Sequence, residues 1–253
     1  MATDATLQPI AGIHSARAAL KFGAAGVGEL WLDPARRDQR LADLAELAHR
    51  GGVSVRGVER DELERAARGA NHQGVVIWVR VPAAGTEHDL ERILDALTEP
   101  PLLLLLDGVQ DPHNLGACLR TADGAGVQAL IAPKDNAVGL TPTVCKVASG
   151  AAATLPYLQV TNLARTMDRL KARGIWLVGT AATATTELYD LDLTGPLGLV
   201  MGSEGSGLRR LVQERCDHLV RLPLHGRVES LNVSVATGIA LYEALRQRRV
   251  PAP

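Results

Sequence analysis

Residues 102–127 read LLLLLDGVQDPHNLGACLRTADGAGV. Five leucines with no polar interruption suit a strand buried on both faces, as in a parallel sheet covered by helices. Asp107, Asp111, His113 and Asn114 follow at once, and then Leu115, Cys118, Leu119 and Ala122 recur at helical spacing, with Arg120 between them. A buried strand, a polar loop and an amphipathic helix make one β-α unit. Ligands of such sheets bind beyond the carboxyl ends of the strands, so the polar loop lies where a site belongs. Two readings stand at this point. Pro112 and Asn114 suit a helix start, with Asn114 as the capping side chain and Arg120 as a solvated arginine; or Asn114 and Arg120 carry chemistry.

Working outward, the same alternation continues to residue 249: strand ALIAP, helix TPTVCKVASGAA, helix NLARTMDRLKARG, strands IWLVGTA and LGLVMG, helix LRRLVQERC, strand HLVRLPL and helix VSVATGIALYEALRQRR. Apolar strands separated by amphipathic helices predict a mainly parallel sheet with helices on both faces. Upstream, residues 1–83 alternate helix IHSARAALKFG with its glycine stop, strand ELWLD, helix RLADLAELAHRGG, strand VSVRGV, helix RDELERAARG and strand GVVIWVRV, a small α/β unit. PAAGTEH, the short helical stretch DLERILDAL and Pro100-Pro101 come between. The expected organisation is therefore a domain over 1–83, a linker over 84–100 and a second domain over 101–253.

Two more loops invite chemistry. LGLVMGSEGSGLRRL breaks from strand to helix through Gly202, Gly205 and Gly207, which allow a sharp turn and close approach of a ligand to bare backbone. The order G-x-x-G-x-G is neither the dinucleotide fingerprint nor a Walker loop, and Glu204 in its middle would repel a phosphate. In LPLHGRVESLNVSVATGIALYEAL, Val235, Ile239, Tyr242 and Leu245 form an apolar stripe expected to face the core. Ser230, Asn232 and Ser234 precede or open that helix. One of them suffices as a cap, and three in one turn suit the lining of a polar ligand's site.

Composition narrows the classes. The chain has 253 residues, 46% of them apolar, and a net charge of −1, with 11 basic against 10 acidic residues in 1–83 and 16 against 18 in the remainder. A protein gripping nucleic acid through phosphates alone would be strongly basic, so any RNA contact must be local. Aromatic residues are 3% of the chain, too few for an extended base-stacking surface. Cys118, Cys145 and Cys216 are odd in number and far apart, which suits reduced structural thiols, and the histidines show no metal-ligand spacing, so no metal is expected. No apolar run is long enough to span a bilayer, and MATDATLQPIAGIH has no signal-like pattern, so a cytoplasmic protein without membrane contact is expected. A nucleotide-dependent oxidoreductase would require an early G-x-G-x-x-G, which is missing; a non-catalytic RNA-binding protein gives no reason for Arg120, Glu204, Ser230 and Asn232 to coexist.

Taken together, NLGACLRTADGAGV, LVMGSEGSGL and SLNVSVATGIALYEALRQ resemble the three motifs of the SpoU/TrmH branch of the SPOUT methyltransferases. GIHSARAAL and ANHQGVV resemble the small ribosomal-protein-like domain that precedes the catalytic domain in bacterial 23S rRNA guanosine 2′-O-methyltransferases. The resemblance spans nearly the whole chain. It implies a homodimer, a trefoil knot in the C-terminal α/β domain, S-adenosylmethionine (AdoMet) as methyl donor and 23S rRNA as substrate, with tRNA as the alternative within the family. It further implies a catalytic set of Asn114, Arg120, Glu204, Ser230 and Asn232, and an AdoMet pocket around Thr180, Gly202, Leu222 and Leu231. Arg227 and Glu229 place charges beside the third motif where small residues would serve equally. Arg120 is expected at the ribose hydroxyl, either as a base relieved of its proton or as a charged group stabilising the developing alkoxide; a guanidinium with a pKa above about 12 is by itself a poor proton acceptor.

Overall fold

The structure, a computed structural model, describes residues 7–22 and 26–249. The glycine stop expected at Gly23 lies outside the described residues. Two compact units emerge: Met1–Ala83 with Leu140–Thr154, and Ala84–Gly139 with Leu155–Pro253.

The first unit has the order β1 (Leu7–Ala11), α1 (Ile13–Phe22), β2 (Val27–Leu32), α2 (Gln39–Arg50), β3 (Ser54–Gly57), α3 (Arg60–Ala67) and β4 (Val75–Arg80). Its sheet runs β1-β4-β2-β3, antiparallel except for the parallel pair β2–β3. Alternate residues Val75, Ile77 and Val79 point into a core with Leu30, Leu41, Leu44 and Ile13. β1 escaped the sequence reading because LQPIA has no alternation and carries a proline; on an edge strand Pro9 costs the sheet little.

The segment Leu140–Thr154, within the span expected for the second domain, groups with this unit. It was expected as one helix and is two, α6 (Pro142–Ala148) and α7 (Ala151–Thr154). Ser149 and Gly150 break it with φ of 51° and 101°, left-handed values that a continuing helix forbids. Val144 and Ala148 are buried, and Cys145 packs against the core around Ile10 and Ile13.

The second unit contains α4 (Glu87–Ala96), β5 (Leu102–Asp107), α5 (Pro112–Gly124), β6 (Ala129–Pro133), β7 (Tyr157–Val160), α8 (Leu163–Ala172), β8 (Trp176–Thr180), β9 (Thr186–Glu187), β10 (Leu197–Gly202), α9 (Arg210–Arg215), β11 (His218–Arg221) and α10 (Val233–Arg249). The strands form one sheet in the order β7-β6-β5-β10-β8-β11-β9, parallel throughout. All six residues of β5 are buried, as the leucine run requires. Leu103 and Leu105 join a cluster with Met167, Leu170, Val212 and Leu90, from α8, α9 and α4; by alternation Leu104 and Leu106 face the other side, where α5 and α10 pack together and α10 meets β10.

The stretch expected as a linker is folded into this unit. Thr86 and Asp89 form a capping box that starts α4, Leu90 is buried in the sheet's core, and Glu87 accepts a hydrogen bond from the Thr161 amide at 2.7 Å. The expected core stripe of α10 is also corrected. Val235 and Tyr242 are 51% and 52% exposed, while Val233, Thr237, Ala240, Leu241 and Ala244 are buried. The buried face is the one that meets α5: Thr237 lies against Cys118, and the backbone of Gly238 comes close to Thr121.

Candidate active site

Because the strands are parallel, β5, β10, β8 and β11 end at the same edge of the sheet. Gly202 pairs with Asp107, and Thr180 with Val220, so Leu222 stands just beyond the same rim. α5 starts there after a polar loop. Asp111, not Asn114, is its N-cap: the Asp111 carboxylate accepts from the His113 amide at 2.8 Å, which holds that carboxyl below its ordinary pKa. Asn114 is thereby released from capping. It lies in the first turn, 7% exposed.

Its side chain meets Asn232. The Asn232 amide donates to Asn114 Oδ1 at 2.9 Å and to Glu204 Oε1 at 2.5 Å, while Asn232 Oδ1 accepts from the Ser234 amide at 2.9 Å and the Ser234 hydroxyl at 2.6 Å. Asn232 thus caps α10 and joins the starts of two helices to the glycine turn. With both amide hydrogens donated and its oxygen accepting twice, the side chain has a single orientation.

The turn that delivers Glu204 is built on glycine. Ser203 and Gly207 exchange backbone hydrogen bonds at 3.1 and 3.0 Å, and Gly205 and Gly207 have φ of 81° and 65°. A Cβ on Gly202 would stand 2.1 Å from the Gly207 carbonyl carbon, so the turn folds back over a position open only to glycine.

Of the residues expected from sequence, the structure brings Asn114, Glu204 and Asn232 into one network. Ser230 is exposed two residues before Asn232 and takes no part in its hydrogen bonds. Arg120 is exposed on α5; six residues past Asn114, it sits about 9 Å further along the axis and about 120° around it. It is not among the partners of Asn232. Asp107 and Arg209 carry no role in the sequence reading, yet they form an ion pair at this edge: Nη2 of the exposed Arg209 lies 2.6 Å from a carboxylate whose side chain is wholly buried. The signal was a single acid ending a run of five leucines; its partner, 102 residues away, had none.

Thr180, Gly202, Leu222 and Leu231 are all half-buried, the first three at or just beyond the ends of β8, β10 and β11. Glycine backbone and strand-end amides and carbonyls along the neighbouring β10, β8 and β11 suit a flat, partly apolar group such as an adenosine. These residues fit AdoMet. Among the described residues no group of His, Cys, Asp or Glu is arranged to hold a metal, and no helix is long and apolar enough to cross a membrane.

Comparison with known proteins decides the family. Residues 101–242 match the model of the SpoU rRNA Methylase family, and residues 9–82 match the model for RNA 2'-O ribose methyltransferase substrate binding. The chain belongs to the SpoU rRNA methylase family. It is 56% identical to a 23S rRNA (guanosine-2'-O-)-methyltransferase RlmB of Shewanella oneidensis, covering 95% of this chain and 97% of that one. It is 53% identical to the RlmB of Pseudomonas syringae pv. tomato, covering 96% of each. Among solved structures it is similar to the SpoU methyltransferase AviRb from Streptomyces viridochromogenes in complex with AdoMet, with a TM-score of 0.76, 29% identity, and coverage of 96% of this chain and 91% of that chain. Members of this SpoU family use AdoMet, and this chain is an AdoMet-dependent methyltransferase.

Proposed function

We propose that this chain transfers a methyl group from AdoMet to the ribose 2′-hydroxyl of a guanosine in 23S rRNA, in the cytoplasm and as a homodimer. The observation that carries the reading is the Asn114–Asn232–Glu204 network, set beside the Gly202 shelf at the carboxyl edge of a parallel sheet. Similarity to the RlmB enzymes over nearly the whole chain supports the guanosine and the 23S substrate.

AdoMet, when bound, supplies an electrophilic methyl on a sulfonium. The chain's task is to hold a ribose oxygen in line with that methyl and to keep water out. Thr180, Gly202, Leu222 and Leu231 would hold the donor through backbone and apolar contacts. Asn232 is locked by four hydrogen bonds and fixes Asn114 with its Oδ1 turned inward, which leaves the Asn114 amide to donate to a ribose or phosphate oxygen. Glu204 orients this pair, and Ser230, which is exposed, would meet the RNA backbone. Arg120 keeps its charge and stabilises the alkoxide as the proton leaves toward phosphate or solvent, because a guanidinium is a weak base.

The second unit carries the chemistry, and residues 1–83 recognise folded rRNA; the match of 9–82 to a substrate-binding model supports this division. We assign the second unit the trefoil knot of its family, consistent with the return of α10 to β10 and α5 after β11. The homodimer rests on α10, whose Val235 and Tyr242 lie two turns apart on one face and are half exposed, with Val228 at 62% close by in sequence. Labelled AdoMet incubated with naked 23S rRNA and with tRNA tests the substrate. Label in 23S rRNA alone is expected; label in tRNA alone would move the activity to the other substrate.

A further inference from the structure

The Asp107–Arg209 pair lies within two of the quoted stretches yet has no role in the network described so far. Asp107 closes β5 in register with Gly202, which closes β10. Its Oδ2 accepts the Arg209 backbone amide at 2.8 Å, and its Oδ1 accepts Arg209 Nε at 2.7 Å and Nη2 at 2.6 Å. A buried carboxylate needs such partners, and once they are supplied the pair adds little net stability relative to an apolar replacement. What a guanidinium fork plus a backbone bond adds is geometry: it fixes residue 209 in position and direction.

Residue 209 is the exit of the turn that carries Glu204. That turn is a closed unit, held by the Ser203–Gly207 backbone pair and by the Ser203 and Ser206 hydroxyls, 2.6 Å apart. β10 fixes its entry. A closed turn with its entry and exit both fixed moves as a rigid body or not at all, so the aim of Glu204 at Asn232 depends on where Arg209 is held.

We propose that Asp107 and Arg209 are a positioning pair for methyl transfer, holding the 203–208 turn so that the Glu204 carboxylate meets Asn232. This rests on the reading of Glu204 as the orienting acid. Asp107 adjoins the shelf at Gly202, its partner across the sheet, and the pair's influence on Glu204 passes through the turn.

The test is a double-mutant cycle on the full-length enzyme. Arg209→Gln and Arg209→Lys are each made in the wild-type and Glu204→Gln backgrounds, with Asp107→Asn as the reciprocal change. kcat, the KM for a 23S rRNA fragment and the AdoMet Kd are measured. Arg209→Gln is expected to lower kcat roughly 10- to 100-fold, the scale on which misplacing a site group acts, with the RNA KM within about twofold. Arg209→Lys, which keeps the charge and one donor, should recover part of the loss and serves alone if the glutamine variant does not fold. In the Glu204→Gln background the same changes should cost less than about a further twofold, since contacts acting through one residue are not additive. Equal losses in both backgrounds, or a loss confined to the RNA KM, would overturn the pair's positioning role. Full activity of Glu204→Gln by itself would instead overturn the reading of Glu204, and the proposal with it.

Discussion

The side-chain amide of Asn232 donates to Asn114 Oδ1 across 2.9 Å, joining the first turn of α5 to the cap of α10. The residues are 118 positions apart, and this contact brings two of the sequence motifs into one site. Its chemistry separates stability from activity, because Asn232 both caps a helix and donates to the site.

Asn232→Ser keeps an oxygen that can cap α10 and removes both donations, to Asn114 and to Glu204. Thermal unfolding should reveal a loss of about 1–2 kcal/mol, the scale of one or two hydrogen bonds. Methyl transfer should fall on the order of 100-fold, the cost of removing a preorganised polar contact. Near-normal turnover by the folded variant would remove the network from the mechanism.

Gly202→Ala places a methyl 2.1 Å from the Gly207 carbonyl carbon, and no side-chain movement relieves contact with backbone. The turn must open. Calorimetry should register AdoMet binding weakened by at least tenfold or so, with unfolding only modestly earlier, since strain of this kind costs roughly 1–3 kcal/mol. Unchanged binding would show that the shelf lies elsewhere.

Much of this arrangement was visible in the sequence, for definable reasons. β5 and the buried face of α5 follow from an unbroken leucine run and helical spacing, and both are buried as expected. The helix α10 was read on the wrong face because it has two apolar stripes, and periodicity does not say which of them meets a neighbour; contact with α5 selects Val233, Thr237 and Ala240. β1 and β7 are short edge strands, too brief for alternation to register. Asn114, Glu204 and Asn232 were found through their motifs. Asp107 with Arg209 was not, since an ion pair between residues far apart in sequence leaves no spacing to read.

Val235→Asp puts a charge in the half-exposed apolar stripe of α10 without disturbing the face packed on α5. Sedimentation equilibrium should show the wild type as a dimer and the variant shifted to monomer, because a desolvated, unpaired carboxylate is costly at an interface. A monomeric wild type would contradict the homodimer.

The thiols should be silent. Burial raises Cys118 and Cys145 to about 11 and Cys216 to about 12, well above the ordinary 9.0. The reactive thiolate therefore appears only as the pH climbs toward those values, and it is scarce at neutrality. Iodoacetamide at pH 8 should label the folded protein far more slowly than the denatured chain, and the native rate should rise with pH beyond 9. Rapid native labelling at pH 8 would contradict the burial of these groups.

The most direct test is the identity of the methylated nucleoside. Naked 23S rRNA is treated with enzyme and labelled AdoMet, digested to nucleosides and separated by mass-resolved chromatography, with Arg120→Ala in parallel. The account predicts label in 2′-O-methylguanosine, at one position, and its loss with Arg120→Ala. Label on a base would contradict ribose methylation, and ribose label that survives the loss of Arg120 would contradict the role assigned to that arginine.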